Sequence, residues 1–364
     1  MRSIFGQSQA KEVTEQIVVK TGGNPLFIEE LTKAVLEAGI LVEEAQCYRL
    51  DGPLPPLAIP ATLHDSLMAR LDRLAPVKEI AQIGAVIGRE FSYSLLRALA
   101  GRDEMTLKDA LAQLEDAGLV FHRGDHPVAI YCFKHALVQE VAYENLLKSR
   151  RQVLHQRIAD TLRNRFQTIA ETQPEVVAHH FRQAGLSKAA VEWWIKAGDR
   201  ALDKSANDEA IAHLERAIRL AEGLADSPAG RLLQLRLQTT YGHALLHGRG
   251  HSQPETMAAF SRACELASGI EDITGRFSAY YGMWMGFFSR GDLPLMRRVA
   301  TAFLHDARHS PGSLGKGRAL HVFGVTCWFQ GDYASARTYL QQALTAYDNG
   351  GINILPPGSS SITE

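Results

Sequence analysis

The sequence lacks most of what would name a reaction or a scaffold. Its four cysteines, Cys47, Cys132, Cys264 and Cys327, lie far apart and form no CxxC pair. That argues against a zinc site and a disulfide framework, and it fits a reducing compartment. HExxH is absent, and neither His179–His180 nor His122/His126 sits beside cysteines or carboxylates at zinc-ligand spacing. No GxSxG elbow appears, and no GxxxxGK[ST] loop; Gly312-Ser313-Leu314-Gly315-Lys316-Gly317 lacks the spacing of the first glycine and the hydroxyl for magnesium. Charge of one sign is missing too: 39 basic and 40 acidic residues leave a net charge of -1, so no global field steers the chain to nucleic acid or anionic lipid. The apolar run at 280–288 is broken by glycine and falls far short of the ~20 residues a membrane span needs. The first residues are followed by polar ones and hold no apolar signal-peptide core. A cytoplasmic protein is the expectation.

What is present is enough for packed cores: 364 residues, 46% hydrophobic. This length favours two or three domains. Residues 11–39 read as a short helix, a break at Gly22-Gly23-Asn24-Pro25, and a second helix carrying Phe27, Leu31 and Val35 at four-residue steps. Asn24 suits the helix cap and Pro25 the first turn. Short apolar runs at 40–42 and 48–50 predict a hairpin. The proline-rich stretch 51–60 predicts an extended connector. Thr62 then caps a helix with Leu63, Leu67, Leu71 and Leu74 on one face.

Residues 77–133 predict three helices followed by two short strands at 119–122 and 128–133, with Arg123-Gly124-Asp125-His126-Pro127 as the turn. Three helices plus a hairpin is a winged helix. Beyond 146 the period is helical almost without a break, with Leu154, Ile158 and Leu162 at four-residue steps. An internal repeat follows. Ala210-x-x-x-Leu214-x-x-Ala217 recurs as Thr256-x-x-x-Phe260-x-x-Ala263 and as Ala336-x-x-x-Leu340-x-x-Ala343, and Gly291-Asp292 matches Gly331-Asp332. Units of roughly 40 residues with helix–turn–helix content define a helical solenoid, a surface that binds more often than it reacts. The fold class expected is mainly α.

Five segments in order carry a resemblance: Gly23-Asn24-Pro25-Leu26-Phe27-Ile28-Glu29-Glu30-Leu31; Ile59-Pro60-Ala61-Thr62-Leu63 with Arg70-Leu71-Asp72-Arg73-Leu74; Ala85-Val86-Ile87-Gly88-Arg89-Glu90-Phe91; Phe133-Lys134-His135-Ala136-Leu137; and the repeats. Together they resemble the bacterial STAND-type (AAA-like) signalling ATPases with tetratricopeptide-like repeats, as found fused to class III adenylate/guanylate cyclases. The resemblance implies a helical lid, or remnant of the ATPase module, with its proline-rich connector at 1–75. It implies a winged-helix domain at 76–148 and tetratricopeptide-like repeats at 149–348; the tail at 349–364, with Gly-Gly, Pro-Pro and Ser-Ser-Ser, is expected to be disordered on its composition. In such a family Pro25 packs on adenine and His135 senses the nucleotide's phosphates. ATP or ADP with magnesium is implied for the intact family. This chain, lacking the phosphate loop, is expected to bind no cofactor alone and to be no enzyme. It reads as a gene fragment, or as a remnant working with an ATPase core in trans. Its expected role is a regulatory, protein-interaction segment of a signal-transduction ATPase, with a protein partner or small ligand on the repeats.

Other readings stand beside these. Pro25 also suits an ordinary helix start, and His135 a packed structural histidine. The winged helix opens a second function, a DNA-binding transcriptional regulator. Against it, the third helix carries Lys108 with Asp109, Glu115 and Asp116, whereas a helix facing phosphates should be basic. The basic stretch 144–165 fits an acidic partner, or a linker helix whose arginines pair with neighbouring acids. Of the adjacent Trp193 and Trp194, one ring is expected in the core and the other against the next helix.

Overall fold

The computed structural model of the chain describes residues 18–19, 21, 23, 25, 27–29, 32, 41–44, 47–50, 62–224, 227–267, 273–309 and 314–348. The connector expected at 51–60 and the tail expected at 349–364 lie outside the described residues, as does most of 11–39. The protein is mainly α, as the sequence predicts. It divides into two compact units, one up to Thr161 and one from Leu162.

In the first unit, β1 (Leu41–Glu44) and β2 (Cys47–Leu50) pair antiparallel, with Leu41 opposite Leu50. Helix α1 (Leu63–Arg73) begins where the Thr62 hydroxyl accepts the Asp65 backbone N–H at 3.1 Å. Helix α2 (Ala75–Ile87) buries Ile80, Ile83 and Val86. Helices α3 (Tyr93–Ala100) and α4 (Glu104–Asp116) are short because each has its own stop and start: Ser92 and Asp103 cap their first turns, and left-handed Gly101 and Gly118 end them. Leu96, Leu107, Leu111 and Leu114 form the buried faces.

Strands β4 (Val120–Arg123) and β5 (Ile130–Phe133) form the hairpin expected, within two residues of the expected bounds. The sequence reading missed β3 (Glu90–Ser92), which pairs with the other edge of β5 to give the order β3-β5-β4. Three residues are too few to show an alternating pattern. The strand exists because β5 is central, and its backbone groups need partners on both sides. Phe91 of β3 lies under Gly84 of α2, where an added β-carbon would come within 2.8 Å of the ring. Helix α5 (Ala136–Glu144) returns to α2, and Gln139 Nε2 donates to the Ala85 carbonyl at 2.9 Å. Helix α6 (Lys148–Arg165) spans the division between the units.

The second unit is a stack of helices: α7 (Gln167–Thr172), α8 (Pro174–Gln183), α9 (Ser187–Asp203), α10 (Asn207–Ala221), α11 (Pro228–Arg249), α12 (Pro254–Ala267), α13 (Ile273–Arg290), α14 (Leu293–Arg308), α15 (Leu314–Phe329) and α16 (Tyr333–Asp348). From α8 on, each helix packs on the next. The turns foreseen at Gly291-Asp292 and Gly331-Asp332 are built alike. Each glycine has a positive φ, 69° and 82°, and each aspartate caps the next helix by accepting a backbone N–H, from Leu295 and Ser335, both at 3.1 Å.

The internal repeat marks the close contacts. Leu214 of α10 lies over Gly198 of α9, Phe260 of α12 over Gly242 of α11, and Leu340 of α16 over Gly324 of α15. A β-carbon on these glycines would come within 2.7, 2.7 and 2.9 Å of those side chains. The α13–α14 pair uses the reverse arrangement. Counting back from Asp292 as from Asp332 places Trp284 where Gly324 stands and Ala300 where Leu340 stands, and both belong to one buried cluster. At these matching positions the large residue is on α13 and the small one on α14.

These contacts predict a compensating pair. Gly242→Ala should destabilise the chain by roughly 1–3 kcal/mol through overpacking against Phe260. Adding Phe260→Leu should return part of that loss, although Phe260→Leu alone is destabilising. Urea unfolding of the single and double variants checks the coupling.

Candidate functional site

Helices α9, α11, α13 and α15 pack on one another in turn, as well as on their neighbours in sequence. The alternate helices α10, α12, α14 and α16 do not stack on each other to that extent. The first set is therefore an inner layer, and tighter packing on one side curves a helical stack toward that side. Between α9, α11 and the start of α13 lies a groove of about 780 Å³, open to solvent. That volume lies in the range of ordinary ligand sites.

Its apolar lining includes Leu202, Leu233 and Leu232, the last 42% exposed. Its polar lining includes Glu192, Asp199 and Asp203 of α9 and Arg236, Thr239 and His243 of α11. Asp199 and Arg236 are joined at 3.1 Å. Burial nevertheless raises the Asp199 carboxyl above its ordinary range; Arg236 opposes that shift and nearby Asp203 adds to it. His243 lies edge-on to Phe260, ring centroids 5.4 Å apart, and its Nε2 is buried with no hydrogen-bond partner among the described residues. Burial, and after it the neighbouring His247 and Arg318, push its pKa down to about 4. The imidazole is neutral at pH 7, so this end of the groove gains no charge from it.

The residues singled out from the sequence lie in the first unit. Pro25 is exposed, on helical backbone. His135 is half-buried at the N-cap of α5, where its side chain makes no cap hydrogen bond; its Nε2 is buried and has no partner among the described residues. The structure ties the two segments together: Glu29, one helical turn beyond Pro25, accepts from Lys134 Nζ at 2.9 Å, next to His135. The tryptophan pair follows expectation. Both rings are buried, and Trp194 stacks on His213 of α10 at 5.3 Å. In the basic stretch, Arg150 pairs with Glu79 at 3.0 Å and Arg157 donates to the Leu99 carbonyl at 2.7 Å. His122 bonds Glu115, and His126 the Tyr131 hydroxyl. No cluster of three or more metal-ligating side chains exists among the described residues.

The groove itself was not read from the sequence. A signal was available: Glu192, Asp199 and Asp203 stand at i, i+7 and i+11, one polar stripe shared with Lys188 and Lys196 along a helix that buries Val191, Trp194 and Ile195.

No protein-family model matches the chain. An uncharacterised protein of Rhizobium meliloti is 30% identical over 277 residues, 75% of this chain and 26% of that protein. The chain thus spans about a quarter of that relative's length. Two solved structures are similar over most of the chain. One is a STAND protein with a tetratricopeptide repeat sensor from Pyrococcus horikoshii: 14% identity, 94% of this chain and 52% of that chain, TM-score 0.39. The other is BtubC from P. vanneervenii: 12% identity, 83% and 98%, TM-score 0.35. No helix among the described residues is long and apolar enough to cross a membrane.

His243 gives the second unit a defined acid response. Its folded pKa lies below the ordinary histidine value, so the unfolded chain binds more protons between pH ~6.5 and ~4. The stabilisation is complete above that window and is lost as pH falls through it. Burial lowers His179, His251 and His321 in the same direction. Thermal melts from pH 7 down to pH 4 should show falling Tm, and the slope should be shallower in His243→Gln.

Proposed function

We propose that the chain is the regulatory, protein-interaction part of a STAND-type signal-transduction ATPase, linked in the whole system to a nucleotide cyclase output. The observation that carries this reading is the open groove on the inner layer of the repeats, with an exposed leucine and charged side chains at its rim. A preformed concave surface of this kind binds a partner without further folding cost. The five ordered sequence segments supply the family. We take 76–148 as the winged helix of that family and Pro25 and His135 as its nucleotide contacts. An unpartnered imidazole nitrogen beside a lysine suits a phosphate, since His can donate one hydrogen bond and strengthen it on protonation. The sequence has no phosphate-cradling loop. ATP and magnesium would then be held chiefly by another polypeptide segment, joined to this one or acting in trans. Occupancy of the groove would bias the open–closed equilibrium of the nucleotide module by its differential affinity for the two states.

The DNA-binding reading is weaker on charge. Lys108, the cation of α4, is held by Glu104 at 2.9 Å, and Asp109, Glu115 and Asp116 are on the same helix. A gel shift at low salt should show no retardation; retardation with a steep salt slope would favour the transcriptional regulator instead.

ATP turnover by the purified chain tests the main reading. Background rates are expected. Turnover that persists in Pro25→Ala and His135→Ala would remove the nucleotide role assigned to them and put catalysis within this chain.

A further inference from the structure

The groove's charge pattern narrows what it can hold. Glu192 and Asp203 are exposed and have no ion-pair partner among the described residues, whereas Asp199, between them, is neutralised by Arg236. Of these carboxylates, Glu192 lies in the first half of α9 and Asp203 is its last residue, with Leu202, Leu232 and Leu233 among the lining. Lys188 also reaches the groove. It precedes Glu192 by four residues, the weaker orientation for a helical pair. His243 is neutral. The balance of the lining is one negative charge: Glu192, Asp199 and Asp203 against Lys188 and Arg236.

Spacing decides between a small molecule and a chain. Eleven helical positions separate Glu192 from Asp203, about 16 Å at 1.5 Å per residue. An extended peptide covers that distance in about five residues at ~3.3 Å each. A compact amine would reach one carboxylate only. The groove is open, so a chain can continue past it.

We propose that this groove binds an extended peptide of a partner protein, in which a bulky apolar side chain lies between two lysines or arginines about five positions apart. The apolar side chain packs on Leu202, Leu232 and Leu233. The two cations meet Glu192 and Asp203 at the rim, where they set specificity and on-rate more than affinity. This rests on the reading of the repeats as an interaction surface.

The test is selection of random phage-displayed peptides on the immobilised full chain, with the Glu192→Gln/Asp203→Asn variant selected in parallel. Both substitutions keep side-chain shape at exposed positions, and a matching thermal melt confirms an intact fold. Selected peptides should be basic–apolar–basic. By fluorescence anisotropy they should bind the double variant roughly 2- to 10-fold more weakly, the effect of two exposed ion pairs. Their affinity for the unaltered chain should fall with added salt, and Leu232→Ser should weaken them further. Selection of acidic or uncharged peptides, or equal binding to the double variant, overturns the proposed class while leaving the interaction surface standing. An empty selection overturns both.

Discussion

Helix pairs in the second unit meet where a small residue of one helix lies under a large apolar residue of the other, and the rest of that unit depends on this contact. Gly198 with Leu214, Gly242 with Phe260 and Gly324 with Leu340 each leave no room for a β-carbon. Interiors are packed too tightly to absorb an added methyl at no cost. The contact therefore fixes how closely the inner helices α9, α11 and α15 approach their partners. At the matching positions of α13 and α14 stand Trp284 and Ala300, both in one buried cluster, with the sizes exchanged. The spacing between inner and outer helices follows from these approaches.

The groove's electrostatics depend on the same packing. Phe260, seated on Gly242, is also the ring that His243 meets edge-on. Burial beside that ring keeps the imidazole neutral, and the Asp199–Arg236 pair cancels charge in the middle of α9's polar stripe. What remains is two exposed carboxylates, Glu192 and Asp203, with Lys188 beyond the first of them and the leucines Leu202, Leu232 and Leu233 among the lining. In the first unit, His135 occupies an N-cap without capping, and its neighbour Lys134 reaches Glu29. The two units share a trait: each holds a histidine whose Nε2 is buried without a described partner.

Much of the fold was legible in the residues. Caps and stops such as Thr62, Ser92, Gly101 and Asp292 mark helix ends chemically, and the Ala-Leu-Ala repeat marks the helix–helix contacts. The three-residue strand β3 was not legible, because it is defined by the edge it completes on β5. The groove was hidden for a related reason. Its residues come from α9, α11 and α13, which are adjacent only after stacking, and each helix alone looks like an ordinary amphipathic one. Pro25 and His135 were found through resemblance rather than chemistry. In the structure their segments are joined by Lys134 and Glu29, which the sequence reading had named only as parts of motifs.

On the proposed reading, the inner layer of the repeats is a preformed binding surface. Hydrogen–deuterium exchange of the full chain, with and without a peptide selected on it, tests this most directly. Slowed exchange confined to α9, α11 and the start of α13 is expected, with α10 and α12 unchanged. Protection centred on α1–α5, or spread over the outer helices, would contradict it.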